Sequence, residues 1–123
     1  VKILDISKII SLQKEFDENH GWSPTSSSTL ETLDFINKDI IGLIGEIGEF
    51  SNLIKKLNLL NNRFSDEELN ENFLKVHPDL QEELIDAFIY LIRIASHLNI
   101  DISKEYLRKY NINKVRFKKY ENK

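Results

Sequence analysis

Residues 40–57 read Ile40-Ile41-Gly42-Leu43-Ile44-Gly45-Glu46-Ile47-Gly48-Glu49-Phe50-Ser51-Asn52-Leu53-Ile54-Lys55-Lys56-Leu57. Turned through about 100° per residue, Ile40, Ile41, Leu43, Ile44, Ile47, Phe50, Leu53, Ile54 and Leu57 fall on one broad arc, the pattern of an amphipathic helix. Glu46 falls inside that arc, between Leu53 and Leu57, and Glu49 lies beside it on the neighbouring ridge at the arc's edge. The arc is wider than one neighbouring helix can cover, which predicts a homo-oligomer, a dimer or a tetramer.

Working outward, Ser28 with Glu31 three positions on is a capping-box pattern that opens this helical region, with a bend near Phe35 and a close at Asn58 to Asn62. Before it, Ile9, Ile10, Leu12 and Phe16 give one apolar face to a helix from Ser7 to Glu18, ended by His20-Gly21 and followed by a Ser/Thr/Pro loop. After it, Asn61 to His77 reads as a polar connection with at most one short helix at Asp66 to Phe73. Pro78 suits a first helical turn, and a third helix runs from Asp79 to Leu98. Asp101 caps a fourth helix, Ile102 to Tyr120. Four Gly and two Pro in 123 residues fit this helical reading, and the expected architecture is an all-α antiparallel four-helix bundle forming one domain.

The third helix repeats the anomaly of the second. Glu83 falls between Tyr90 and Ile94 on the apolar face, with Asp86 next to it. A carboxylate among apolar groups is costly unless paired or metal-bound, and four of them face to face repel strongly without cations. An all-oxygen donor set favours a hard ion, Mg²⁺ or Mn²⁺, over zinc or copper. A single Glu-x-x-Glu is ordinary helix surface, but two acidic pairs on two apolar faces favour metal binding, and a bundle interior is a known place for it.

Composition narrows the classes further. The 17 Lys and Arg against 20 Asp and Glu give a net charge of -3, which drives the chain towards neither nucleic acid nor an anionic membrane. Without cysteine there is no disulfide framework, zinc-thiolate site or thiol nucleophile. Apolar runs break well before the ~20 residues of a membrane span, and no signal-peptide pattern opens the sequence, so the expected location is the cytoplasm.

The stretch Gly45-Glu46-Ile47-Gly48-Glu49-Phe50, followed by Glu82-Glu83-Leu84-Ile85-Asp86-Ala87-Phe88-Ile89-Tyr90, resembles the Glu-x-x-Glu then Glu-x-x-Asp signature of the MazG-like all-α nucleotide pyrophosphohydrolases, a group related to dCTP pyrophosphatases and dimeric dUTPases. Downstream, Asn99-Ile100-Asp101-Ile102 and Lys109 to Phe117 are similar to the family's closing Lys-x-x-x-Asn-x-x-Arg-Tyr segment, with Lys114 and Phe117 as departures. The resemblance spans Phe16 to Phe117 and implies one MazG-like domain over 1–123. It implies Mg²⁺-dependent hydrolysis of a (deoxy)nucleoside triphosphate to the monophosphate and pyrophosphate, a role in cleansing the nucleotide pool, and metals held by Glu46, Glu49, Glu83 and Asp86. Glu46 or Glu49 would take the proton of the attacking water. Trp22 would stack on the base, Tyr90 would line the sugar or base pocket, and Asn113 and Arg116 would reach base, sugar or phosphates.

Other roles stand beside these. Trp22 also reads as a cover for one end of the core, and His20 as a residue suited to a helix C-terminus. The segment Lys104 to Lys123 carries eight basic and two acidic residues, a pattern of solvated surface that would also serve a triphosphate. Lys55 and Lys56, one to two turns after Glu49, could do likewise across a dimer interface. Two alternatives remain open: a dUTPase-like hydrolase on the same scaffold, and a non-enzymatic helical dimerisation or regulatory module whose acidic pairs form salt bridges. A di-iron bundle wants Glu-x-x-His motifs, which His77 and His97 do not supply.

Overall fold

The computed structural model describes residues 3–22, 26–61 and 63–122. Among these, four α-helices follow one another, α1 (Ile6–Asn19), α2 (Thr29–Asn61), α3 (Asp66–His97) and α4 (Ile102–Arg116), with a 3₁₀ turn at Lys118–Tyr120 and no strand. The chain is all-α, as the periodicity predicts. Residues 23–25 of the Ser/Thr/Pro loop and Asn62 at the expected close of the second helix lie outside the described residues.

Side chains close the open N–H groups at each helix start. Asp5, Ser28, Ser65 and Asp101 accept from the backbone N–H three residues on, at 2.8, 3.1, 3.2 and 3.1 Å. Such a cap is worth about 1 kcal/mol. At Ser28 the expected capping box is half made, because the Glu31 carboxylate accepts the Ser27 hydroxyl at 2.9 Å. Helices α1 and α3 end alike. Gly21 (φ 68°) and Asn99 (φ 54°) adopt the left-handed conformation. The next residue donates its N–H back into the helix, Trp22 to the Asp17 carbonyl and Ile100 to the Ala95 carbonyl, both at 2.9 Å. These are Schellman ends, which glycine and asparagine tolerate best.

One connection differs from expectation. Instead of a polar segment from Asn61 to His77 with a new helix opening at Pro78, α3 begins at Asp66 and carries Pro78 in its interior. Ser65 caps it, and Asp66, Glu67 and Glu68 place negative charge in the first turn, where the helix dipole favours it. Leu69, Asn72, Val76, Leu80, Glu83 and Ala87 then turn away from solvent at steps of three and four, so packing along α2 overrides the polar composition. Pro78 cannot donate to the Leu74 carbonyl. Both residues are exposed, so that carbonyl is open to water.

Helices α2 and α3 pack along their length, α1 lies on α3, and α4 makes its main contacts with the 3₁₀ turn after it. The α2–α3 pair is antiparallel: Asp39 meets His97 at 2.9 Å, Gly42 faces Tyr90, and Glu49 meets Glu83. The buried apolar side chains, Ile36 and Leu57 from α2 with Leu80, Ala87 and Ile92 from α3, form the seam between them. Only part of the predicted arc is covered by α3. Leu57 is buried and Leu43, Phe50, Leu53 and Ile54 are half-buried, while Ile40, Ile41, Ile44 and Ile47 stay exposed, Ile41 at 72%. Likewise, of the expected α1 face, Ile9 and Ile10 are half-buried but Leu12 and Phe16 are exposed. A folded monomer of this mass exposes ~6,900 Å², whereas this chain exposes 10113 Å². No described helix is long and apolar enough to cross a membrane.

Replacing Pro78 with Ala tests the continuity of α3. In a helix interior the change restores a hydrogen bond and good propensity, so unfolding free energy should rise by about 1–3 kcal/mol. A neutral or destabilising effect in denaturant titration would place Pro78 in a first turn instead.

Candidate metal centre

Three and four residues per step bring Asp39, Gly42, Glu46 and Glu49 onto one ridge of α2, and Glu83, Asp86, Tyr90, Arg93 and His97 onto one ridge of α3. Antiparallel pairing lays these ridges against each other. At their centre, Glu46, Glu49 and Glu83 each bring a carboxylate oxygen within 4.8 Å of the others. Asp86 adds its charge to both Glu49 and Glu83, and lines a cleft together with Glu46. Glu46, Glu83 and Asp86 are half-buried, and Glu49 is exposed. The four acidic residues singled out from the sequence are therefore neighbours.

Their electrostatics are those of like charges held close. The Glu49 carboxyl is pushed above its ordinary value first by a hydrogen bond with Glu83, then by repulsion from Glu83, by burial and by Asp86. Glu83 is raised chiefly by a hydrogen bond with Glu46, with burial and repulsion from Glu46 and Asp86 adding and a hydrogen bond to Glu49 opposing. Glu83 Oε2 is buried without a hydrogen-bond partner among the described residues. Nor is any of the four in an ion pair there; the pairs found are Arg93 with Asp17, His97 with Asp39, and Arg108 with Glu105. An orphaned buried carboxylate oxygen, beside two more carboxylates and no lysine or arginine, suits a hard divalent cation.

A cleft of about 460 Å³ continues from the carboxylates, lined by Glu46, Asp86, Tyr90, Arg93, Phe16 and Gln13. Tyr90 enters it because Gly42 has no side chain: a Cβ there would lie 2.8 Å from the Tyr90 hydroxyl and closer still to its ring. At the far end, Asp17 is 2% exposed and accepts both Arg93 Nε at 2.9 Å and Nη2 at 2.8 Å, with Gln13 Nε2 donating to it at 2.9 Å. Asp17 also drives the Arg93 pKa further up. The Arg93 guanidinium carbon lies 5.4 Å from the Tyr90 ring centre and 5.7 Å from that of Trp22. Trp22 itself is 58% exposed and packs against Phe16 and His20; it neighbours two residues of the cleft, Phe16 and Arg93, and is not itself in the lining. His20 caps α1, as its place in the sequence suggests.

The remaining expected residues lie apart within the single chain. Lys55 and Lys56 are exposed on α2, Asn113 is half-buried on α4, and Arg116 is exposed against the Phe117 ring; none of them lines this cleft. Sequence reasoning missed Asp17, Arg93, Gln13 and Gly42. The signal for Arg93 was of the kind that found the carboxylates: a lone charge inside the apolar run Phe88 to Ala95.

The raised carboxyls fix how metal and pH act on stability. Glu49 and Glu83 hold protons above the ordinary value of 4.5, so without metal their stabilising protonation is present below that value and lost as pH rises through their raised values. Added Mg²⁺ should therefore raise the melting temperature most at neutral pH, with the gain shrinking towards pH 4.5. Thermal melts in EDTA and in excess Mg²⁺ that coincide at neutral pH would argue against a metal centre.

No family model, curated protein or solved structure matches the chain. What the site can do rests on its own residues.

Proposed function

We propose that the chain is a Mg²⁺-dependent nucleoside triphosphate pyrophosphohydrolase of the MazG-like kind, cleaving its substrate to the monophosphate and pyrophosphate. The observation that carries this reading is the carboxylate cluster with its orphaned Glu83 oxygen, opening into a cleft lined by Tyr90 and Arg93, with the Trp22 ring centre 5.7 Å from the Arg93 guanidinium carbon. A polyanion suits the first end only with cations between, and a planar ring suits the second. Held by Glu46, Glu49, Glu83 and Asp86, Mg²⁺ or Mn²⁺ would supply charge neutralisation of the triphosphate and a lowered pKa for the attacking water.

The chain's own residues then divide the work. Glu46 or Glu49 accepts the proton of the water that attacks the α-phosphorus; a new oxygen–phosphorus bond forms, the bridge to the β-phosphate breaks, and pyrophosphate leaves. Tyr90 walls the sugar side of the cleft, and Trp22 offers a ring face to the base. The non-enzymatic alternative, with acidic pairs neutralised by salt bridges, gains no support, since those pairs have no basic partner among the described residues.

The reading includes a homodimer or homotetramer. Exposed Ile40, Ile41, Ile44 and Ile47 on α2, and a surface well above that of a compact monomer, support it. An α4 segment without a buried residue leaves Asn113 and Arg116, like Lys56, to meet substrate within an assembly. Light scattering at micromolar concentration should give a dimer or larger, and a monomer alone would remove this part of the proposal.

Two substitutions separate chemistry from recognition. Glu49→Gln keeps size and helix propensity but removes a charge that the metals need; pyrophosphate release from a panel of dNTPs should be abolished while the fold persists. Trp22→Ala should raise KM by about ten-fold and reduce kcat less, since base stacking is worth about 1–3 kcal/mol. Near-normal kcat in Glu49→Gln would refute the metal assignment. A lowered melting temperature with unchanged KM in Trp22→Ala would make that ring packing alone.

A further inference from the structure

Helix α4 has no place in the core, since none of its residues is buried. Ile102, Glu105 and Asn113 are half-buried, which marks the side of α4 turned to its own chain. Successive residues of a helix stand about 100° apart, so Lys104, Leu107, Arg108, Lys114 and Val115 fall on the opposite side. All five are exposed, Val115 at 78%. That outward side joins two apolar side chains to three cations, and its own chain leaves it uncovered.

A surface of opposite charge and similar length lies on α3. Pro78, Glu82, Ile85, Ile89 and Arg93 follow at steps of three and four, so they share one side of that helix. At Arg93 this side is covered by α1, through Asp17. Nearer the hairpin tip it is open. There Pro78, Gln81, Glu82, Ile85 and Asp86 line a shallow cavity of about 360 Å³, with Ile85 56% exposed. Asp79 is exposed too, seven residues before Asp86 and so on the same ridge. From Val76 to Ile92, α3 carries four acidic residues and neither lysine nor arginine; from Asp39 to Ile54, α2 carries three and again no lysine or arginine. The spacing also agrees. Leu107 and Val115 stand roughly 12 Å apart along α4, and Pro78 and Ile85 roughly 10 Å apart along α3.

Resting on the assembly in the reading above rather than on its chemistry, we propose that the outward side of α4 docks on the Pro78–Asp86 side of α3 in a second copy of the chain, whose own α4 returns the contact. Leu107 and Val115 cover Pro78 and Ile85, while Lys104, Arg108 and Lys114 meet Asp79, Glu82 and the acidic middle of the hairpin. The division of charge along the chain selects this occupant. Lys104 to Lys123 carries eight basic and two acidic residues, and residues 1–103 carry nine and eighteen. Two α4 helices, or two hairpin middles, would set like charges together and oppose association. Helix against hairpin satisfies both surfaces, and two-fold symmetry supplies the contact twice. Nucleic acid would match α4 alone and be repelled by the hairpin. The area is available: the chain exposes roughly 3,000 Å² more than a compact monomer of its mass, and an obligate pair buries about 2,000 Å² or more.

Charge reversal of the full chain tests the contact without metal or nucleotide. One variant combines Lys104→Glu with Arg108→Glu, the other Asp79→Lys with Glu82→Lys; all four positions are exposed and outside the proposed metal ligands, and circular dichroism checks that both variants fold. In light scattering at micromolar concentration each variant alone should dissociate, its affinity for itself weakened about a hundred-fold or more. An equimolar mixture should reassociate to within about ten-fold of the unaltered chain, because both reciprocal contacts of the mixed pair again join opposite charges. Variants that associate with themselves as the unaltered chain does would place the interface elsewhere and overturn the proposal, as would a mixture that stays monomeric. Oligonucleotide binding at physiological salt that is lost in Lys104→Glu with Arg108→Glu while self-association persists would give α4 to nucleic acid instead. A monomeric unaltered chain would remove both this contact and the proposed assembly. Pyrophosphate release is measured in parallel on the unaltered chain: association through this contact without turnover would sink the enzyme assignment alone, and turnover in an assembly indifferent to the reversals would sink this contact alone.

Discussion

Antiparallel register between α2 and α3 is the constraint on which the rest hangs. Tyr90 needs the bare backbone of Gly42, since any Cβ there would overlap its ring, and His97 needs Asp39 at the other end of the same ridge. With those two contacts made, Glu83 has no choice but to face Glu46 and Glu49. Packing therefore forces together groups that electrostatics would separate. Such an arrangement persists only when the apolar seam around it, Ile36, Leu57, Leu80, Ala87 and Ile92, outweighs the repulsion, or when a cation removes it.

The opposite balance governs α1. Its apolar residues are only half-covered, and what fastens it to α3 is the fork from Arg93 to Asp17. Taking both charges out of water offsets much of their attraction, so the pair contributes more to orientation than to stability. Orientation is what the cleft requires. The Schellman bond from Trp22 N–H ends on the Asp17 carbonyl while the Asp17 carboxylate holds Arg93, so one residue sets both the tryptophan's backbone and the guanidinium beneath its ring.

Much of this was legible in the sequence. Helix periodicity located α1, α2 and α4 to within a few residues at most ends, and the misplaced carboxylates on two apolar arcs marked the acidic cluster, because a charge in the wrong face stands out without knowledge of its partner. Three features were hidden for physical reasons. The residues from Asp66 to His77 look polar one by one, and their helix is stabilised by contacts with α2 that only the pairing creates. Asp17 reads as the exposed end of a short helix until Arg93, 76 positions away, arrives to make it a buried anion. Gly42 reads as one of several glycines in a helix, and Gly45 and Gly48 indeed face open space; only the approach of Tyr90 separates it from them.

The register has a consequence for how the chain tolerates insertion. Residues 63–65 lie at the tip of the hairpin, where added length changes neither ridge, so insertions there should accumulate freely among sequences that share this fold. Between Gly42 and Glu49, or between Glu83 and Tyr90, one added residue turns everything beyond it by about 100°. Tyr90 would then meet a side chain in place of backbone, and the carboxylates would part. The hairpin is in this sense written in a fixed frame at its middle and in free text at its tip, and the spacing between glycine, acids and tyrosine carries more information than the identity of any apolar residue around them.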